Sequence, residues 1–293
     1  MPRVLRLAAA AFVAGLVAAC SPSAAYNRLA LAGVRGTEIT RDIPFGADPR
    51  LKLDVYAPPR GERLKPVLVF IYGGSWDTGE KSIYGFAGAA FSGRGFVTVI
   101  PDYRLVPAVR YPGFLEDGAQ AVRWARENAG RFGGDPERIV LVGHSAGAYN
   151  AAMIALDGRW LREAGVPPGA VKAWAGLAGP YDFLPLEVRS TREAFGQAPD
   201  LPSTQPINHV DRGDPPALLA TGVNDGTVEP EDTRELARRL TAAGVPVETR
   251  FYPKVGHIGI VTALGPLFRG RAPVLNDVTR FLHERTSPQP LSA

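Results

Sequence analysis

Gly143-His144-Ser145-Ala146-Gly147 sets a serine between two glycines, directly after the apolar run Ile139–Val142 and before the small-residue stretch Ala148–Leu156. That order predicts a strand, a very tight turn and a helix, with Ser145 at the apex and the Gly-x-Ser-x-Gly spacing of a nucleophile elbow. A Cβ two residues before or after the serine would strike the neighbouring strand or helix. The helix that begins there would aim its free N–H groups at any oxyanion that forms. A serine hydroxyl is a poor nucleophile until a base removes its proton. An imidazole titrates near neutrality and can take that proton and return it to a leaving group. A carboxylate that fixes the imidazole's tautomer completes the set. Asp225 follows the apolar run Ala217–Thr221, and His257 follows Val247–Tyr252. The order Ser145, Asp225, His257 is the one expected when all three stand at the carboxyl edge of a parallel sheet. Asp225 has two other readings, a turn former before Gly226 or a bystander beside a rival acid, Asp182.

A fourth part is needed, a cradle for the oxyanion. Gly73 and Gly74 follow the apolar run Val67–Tyr72, and adjacent glycines let backbone N–H groups turn inward. Gly74, Ser75 and Ala146 are the candidate donors, each worth a few kcal/mol to a transition state. Trp76 reads equally as core or as a wall for the acyl or leaving group. Tyr181, Phe183 and Leu184 read as cap packing with a possible share in the pocket. His144, His209 and His283 read as structural. The four histidines show no metal-ligand spacing, so no metal site is expected. Asp102 and Asp117 read as structural, with Asp102 expected to pair with Arg104.

The elements that must position these residues are legible as alternating patterns. Thr37–Ile43 and Leu51–Tyr56 read as strands, the second half-exposed by its alternation. Val67–Tyr72, Phe96–Ile100, Ile139–Val142, Val171–Leu177 and Ala217–Thr221 are apolar runs suited to strands covered on both faces. Helical patterns lie near Tyr84–Arg94, Phe114–Arg131, Ala146–Leu156, Glu231–Ala243 and Val274–Arg285. Strands and helices in alternation predict an α/β fold, a mostly parallel central sheet with helices on both faces. Residues 179–213 lack a clear period and read as a short cap near the site.

The chain has 293 residues, a formal net charge of +4 and 45% hydrophobic residues, ordinary values for one sizeable α/β domain over 37–285. Basic residues are scattered, which argues against a nucleic-acid partner. Residues 1–19 read as a signal peptide, with a basic start and the uncharged run Leu7–Ala19, too short to span a bilayer. Leu16–Cys20 resembles a bacterial lipobox. Cys20, the single cysteine, is therefore expected to carry acyl chains, which would anchor the chain to a membrane of the bacterial envelope. The alternative is a plain secretory signal with a stray cysteine. Loss of Arg3 and Arg6 with the signal would lower the charge from +4 to +2. Residues 20–36 read as a lipidated tether and 286–293 as a tail.

Taken with these motifs, Tyr72–Trp76, Pro101–Leu105 and Gly133–Arg138 make the chain similar to α/β-hydrolase-fold esterases of the hormone-sensitive-lipase and arylformamidase-like (BD-FAE-type) branch over roughly Leu51–Arg285. Tyr72 stands where that family usually has histidine. The resemblance implies hydrolysis of a small-molecule ester or amide through an acyl-enzyme, without a cofactor. The expectation is a serine carboxylesterase for small-to-medium acyl groups. An arylformamidase-like amide hydrolase and a catalytically silent envelope binding protein are the alternatives.

Overall fold

The computed structural model describes residues 22–287; Cys20, the signal segment and residues 288–293 lie outside them. The backbone is an eight-stranded sheet in the order β1-β2-β4-β3-β5-β6-β7-β8. Its strands are β1 (Glu38–Pro44), β2 (Lys52–Ala57), β3 (Lys65–Ile71), β4 (Val97–Pro101), β5 (Gly134–His144), β6 (Val171–Leu177), β7 (Ala217–Gly222) and β8 (Val247–Tyr252). From β4 across to β8 every pairing is parallel, and β1 and β2 form an antiparallel edge. The central strands are continuous apolar runs because both of their faces are covered: Val67–Ile71 and Ile139–Val142 are fully buried.

The connections α2 (Gly85–Ser92), α3 (Gly113–Asn128), α4 (Ala146–Leu156) and α7 (Pro230–Ala242) cross between parallel strands. Right-handed crossovers place α2 on one face and α3, α4 and α7 on the other, because the strand order reverses after β4. The last helix, α9 (Val274–Thr286), packs against β6 and α2. Two short helices have no strong sequence signal, α5 (Arg159–Glu163) and α8 (His257–Thr262). Each has too few turns to show a period. The segment 179–213 holds α6 (Arg189–Phe195) and two 3-10 turns, Pro202–Thr204 and Pro206–His209.

The reading of 20–36 as a tether is corrected over most of its length. Pro22–Ala32 is a helix, α1, docked on the domain. Tyr26 lies against Phe86 and Phe268, and its hydroxyl donates to the Thr262 carbonyl at 2.6 Å. Asn27 donates to the Ser82 carbonyl at 2.6 Å and accepts the Phe86 N–H at 2.7 Å. The expected tail is also shorter at its start, since α9 runs through Thr286.

Candidate active site

Ser145 sits between β5 and α4 with φ 55° and ψ −125°, a strained conformation for a non-glycine residue. Its two flanking glycines are required by contact. A Cβ on Gly143 would lie 2.1 Å from the Gly147 carbonyl oxygen, and one on Gly147 would lie 2.1 Å from that of Ile71. The turn therefore presses the start of α4 against β3 and lifts the serine out of the sheet edge.

Three strand ends converge on that serine. His257 Nε2 lies 2.8 Å from Ser145 Oγ. His257 Nδ1 lies 2.9 Å from Asp225 Oδ2. The other oxygen of Asp225 accepts the N–H groups of Thr227 at 2.9 Å and Val228 at 3.0 Å. Burial alone would raise this carboxyl's pKa, but the hydrogen bonds from His257, Val228 and Thr227 outweigh it and hold the group below its ordinary value. The carboxylate thus stays charged and faces the imidazole. Asp182, the rival acid, lies instead in the cap, where its N–H is held by Asp232 at 3.0 Å.

His144 supports the histidine loop from beneath. Its Nε2–H donates to the His257 carbonyl at 3.0 Å, which leaves Nδ1 the unprotonated nitrogen. Complete burial, together with the neighbouring His257, lowers its pKa to about 3, so it is neutral. His209 and His283 bond the carbonyls of Ser203 and Arg94.

The glycine loop after β3 packs directly on the nucleophile: a Cβ on Gly73 would meet Ser145 Cβ at 2.7 Å. Gly74, Ser75 and Trp76 all have positive φ, a backbone that curls back at the site. Ser75 and Ala146 line one cavity with Ser145; the Gly74 carbonyl is turned to the N–H groups of Asp77 and Thr78. Ala146 is the first residue of α4, so its N–H has no acceptor within the helix.

Tyr72 takes the structural place of the expected histidine by a network the sequence did not reveal. Its hydroxyl donates to Asp102 at 2.8 Å and accepts from Arg50 at 3.2 Å. Arg50 also reaches the carbonyls of Tyr103 at 2.7 Å and Gly79 at 2.6 Å, tying both ends of the loop together. Arg50 lies in the turn before β2, and no motif marks it. The expected Asp102–Arg104 pair is corrected. Asp102 accepts the Tyr72 hydroxyl and the Lys81 N–H, while Arg104 grips fully buried Asp117 with Nη2 at 2.7 Å. Asp102 is taken up by the glycine loop and the chain at Lys81, whereas Arg104 lies against α3, which carries Asp117, so the two are served by different neighbours.

Trp76 is both core and wall. It is buried, donates Nε1–H to Asn150 at 3.1 Å, and meets Tyr149 and Phe195 edge-on. One side also faces the cavity beside Ser145, whose volume is about 630 Å³. Phe183, Leu184 and Val188 add apolar lining, and Asp182, Glu187, Glu229 and Asp232 add four carboxylates with no lysine or arginine. Tyr181 is wholly buried against Trp174. Among the described residues no cluster of histidine, cysteine or carboxylate side chains could hold a metal ion.

Residues 53–240 match the family described as BD-FAE. The chain belongs to that family. A carboxylesterase of Mycobacterium tuberculosis, NlhH, is 33% identical over 74% of this chain and 73% of its own length. The isoprenylcysteine alpha-carbonyl methylesterase ICME of Arabidopsis thaliana is 28% identical over 84% of this chain, which spans 62% of that protein. A hyperthermophilic esterase from Pyrobaculum calidifontis shares the α/β fold, with a TM-score of 0.75 and 22% identity over 89% of this chain and 90% of its own. These relatives and neighbours are named esterases, and the mostly parallel sheet is the α/β-hydrolase fold expected from sequence.

Proposed function

We propose that this BD-FAE chain is a serine carboxylesterase that hydrolyses small-to-medium acyl esters through an acyl-enzyme. The observation that carries the reading is the continuous relay Ser145–His257–Asp225, with links of 2.8 Å and 2.9 Å. His257 Nε2 takes the Ser145 proton as Oγ attacks the ester carbonyl. Asp225 keeps Nδ1 protonated and faces the imidazolium. The N–H groups of Ala146, Ser75 and Gly74 receive the oxyanion, with Gly74 the least directly placed of the three. The imidazolium then protonates the departing alcohol. Water, deprotonated by the same histidine, attacks the acyl-enzyme and frees the acid, restoring Ser145. No step calls for a cofactor.

A cavity of about 630 Å³ walled by Trp76, Phe183 and Leu184 supports compact acyl groups. So does a likeness to Thermogutta terrifontis Est2, solved with butyrate bound, at 25% identity and a TM-score of 0.69 over 87% of this chain and 97% of that one. The relatives are named as esterases, which favours esters over the amides of an arylformamidase. An intact relay argues against a silent binding protein.

A fluorophosphonate probe should label the native chain and fail to label Ser145→Ala. Equal labelling of both would overturn the assignment of the nucleophile. Turnover of p-nitrophenyl butyrate against N-formylkynurenine then separates ester from amide hydrolysis. We further propose that Cys20 is acylated and anchors the chain in the bacterial envelope. A palmitate analogue should tag the native chain and not Cys20→Ala; equal tagging would refute it.

A further inference from the structure

The described residues leave seven large apolar side chains exposed: Leu29, Leu64, Ile83, Val188, Val223, Ile258 and Leu267. Four of them, Ile83, Val188, Val223 and Ile258, follow the carboxyl ends of strands. Ile83 lies in the connection after β3, Val188 in the one after β6 and Val223 in the one after β7, and Ile258 follows β8 at the start of α8; Leu267 lies farther on, in a stretch whose Pro266 and Arg269 share a groove with α1 and the far end of α2. In a parallel sheet each of these connections leaves from the carboxyl edge, where Ser145 stands. Val188 shares the cavity with Ser145, and Ile258, 62% exposed, is the neighbour of His257. Leu64 alone of the strand-flanking set precedes β3 and marks the opposite edge.

Helix α1 gives the rim a partner. Asn27 is bonded at Ser82 and at Phe86, beside the start of α2, and Tyr26 at Thr262, all near the carboxyl edge. Farther along, Val34 lies against Gly93 and Thr37 bonds Ser92 at 3.1 Å, at the far end of α2. α1 therefore runs parallel to α2, away from the active-site edge. The N-terminal end of α1 lies at that edge, and the sequence that precedes it contains the uncharged run Leu7–Ala19. Only Ser21 separates Cys20 from Pro22, a reach of about 7 Å.

We infer that the carboxyl edge of the sheet is a lipid-facing surface, on which Ile83, Val188, Val223 and Ile258 meet a bilayer around the mouth of the site. The inference rests on the esterase reading for its consequence, that the site takes esters from the membrane interface. The four carboxylates of the cavity repel an anionic surface, so the bilayer it fits is zwitterionic.

The test uses the full chain reconstituted in phosphatidylcholine vesicles. Ile83→Cys, Val223→Cys and Leu64→Cys are each labelled with a polarity-sensitive fluorophore, and the chain without an added cysteine serves as blank. Emission should shift to the blue, and be quenched by lipid-borne quenchers, at positions 83 and 223 but not at 64. An equal or larger shift at 64, or none at 83 and 223, overturns the inference. Hydrolysis of soluble p-nitrophenyl butyrate is followed in the same vesicles. Its absence from the unsubstituted chain would refute the esterase reading, while the dye positions still decide which edge meets lipid.

Discussion

Asp225 illustrates how much one carboxylate does beyond carrying charge. It receives three hydrogen bonds, and the one from His257 decides which imidazole nitrogen is free to face Ser145. Asp225→Asn keeps the shape, but the amide can present its N–H to Nδ1 and favour the wrong tautomer. We expect kcat for p-nitrophenyl butyrate to fall on the order of 10⁴-fold with KM little changed, read from steady-state kinetics. His144 makes a different demand. It is fully buried and neutral, with its pKa lowered to about 3, whereas in the unfolded chain it titrates near 6.5. Between those values the unfolded chain holds the extra proton. Stability from this group is therefore complete above about pH 6.5 and is lost as pH falls toward 3. Urea unfolding at pH 6.5 and 4.5 should show the native chain losing up to about 2–3 kcal/mol more than His144→Gln. Equal losses would refute the account. The meeting of Ser145, His257 and Asp225 was legible in the sequence because their residue types and strand-end positions are distinctive. The partners of His144, Arg50 and Tyr72 were not, because each is met only after the sheet brings distant turns together.

The glycine loop after β3 is an element held from outside itself. Its own sequence shows that it can curl, through Gly73 and Gly74, but not what stops it from uncurling. Tyr72 and Arg50 supply that restraint through Asp102 and the carbonyls of Gly79 and Tyr103. Tyr72→Phe preserves the ring, which stacks between Tyr84 and Tyr103, and removes only the hydroxyl. It leaves the Asp102 carboxylate, already raised in pKa by burial, short of one donor. The denaturation midpoint should drop by the equivalent of about 1–3 kcal/mol. The cap segment makes a prediction of another kind. Its carboxylates Asp182 and Glu187, with Glu229 and Asp232 from the edge of α7, line the cavity without a compensating cation. Esters bearing a carboxylate on the acyl chain should show a lower kcat/KM than neutral esters of equal length. The gap should narrow as salt rises, since screening weakens the repulsion. A preference for the anionic ester would refute this.

At the scale of the whole molecule, the parallel sheet was readable because its central strands are unbroken apolar runs. The helix α1 was not. Pro22–Ala32 is rich in alanine and small polar residues, and its apolar face gains meaning only when Phe86 and Phe268 arrive from elsewhere to cover Tyr26. An isolated helix of this length is marginal in water, so its order comes from docking. Asn27 carries much of that docking, since one side chain both donates to the Ser82 carbonyl and accepts the Phe86 N–H. Asn27→Ala deletes both bonds, a loss of about 1–3 kcal/mol confined to the contact between α1 and α2. α1 should then open locally without the sheet. Hydrogen exchange of peptides within 22–36 should accelerate, while peptides from β5 and α4 keep their protection and turnover of a soluble ester is unchanged. If exchange accelerated equally across β5, α1 would be part of the global fold and not a separately docked strap. If nothing changed, the aromatic contacts of Tyr26 alone would account for its attachment.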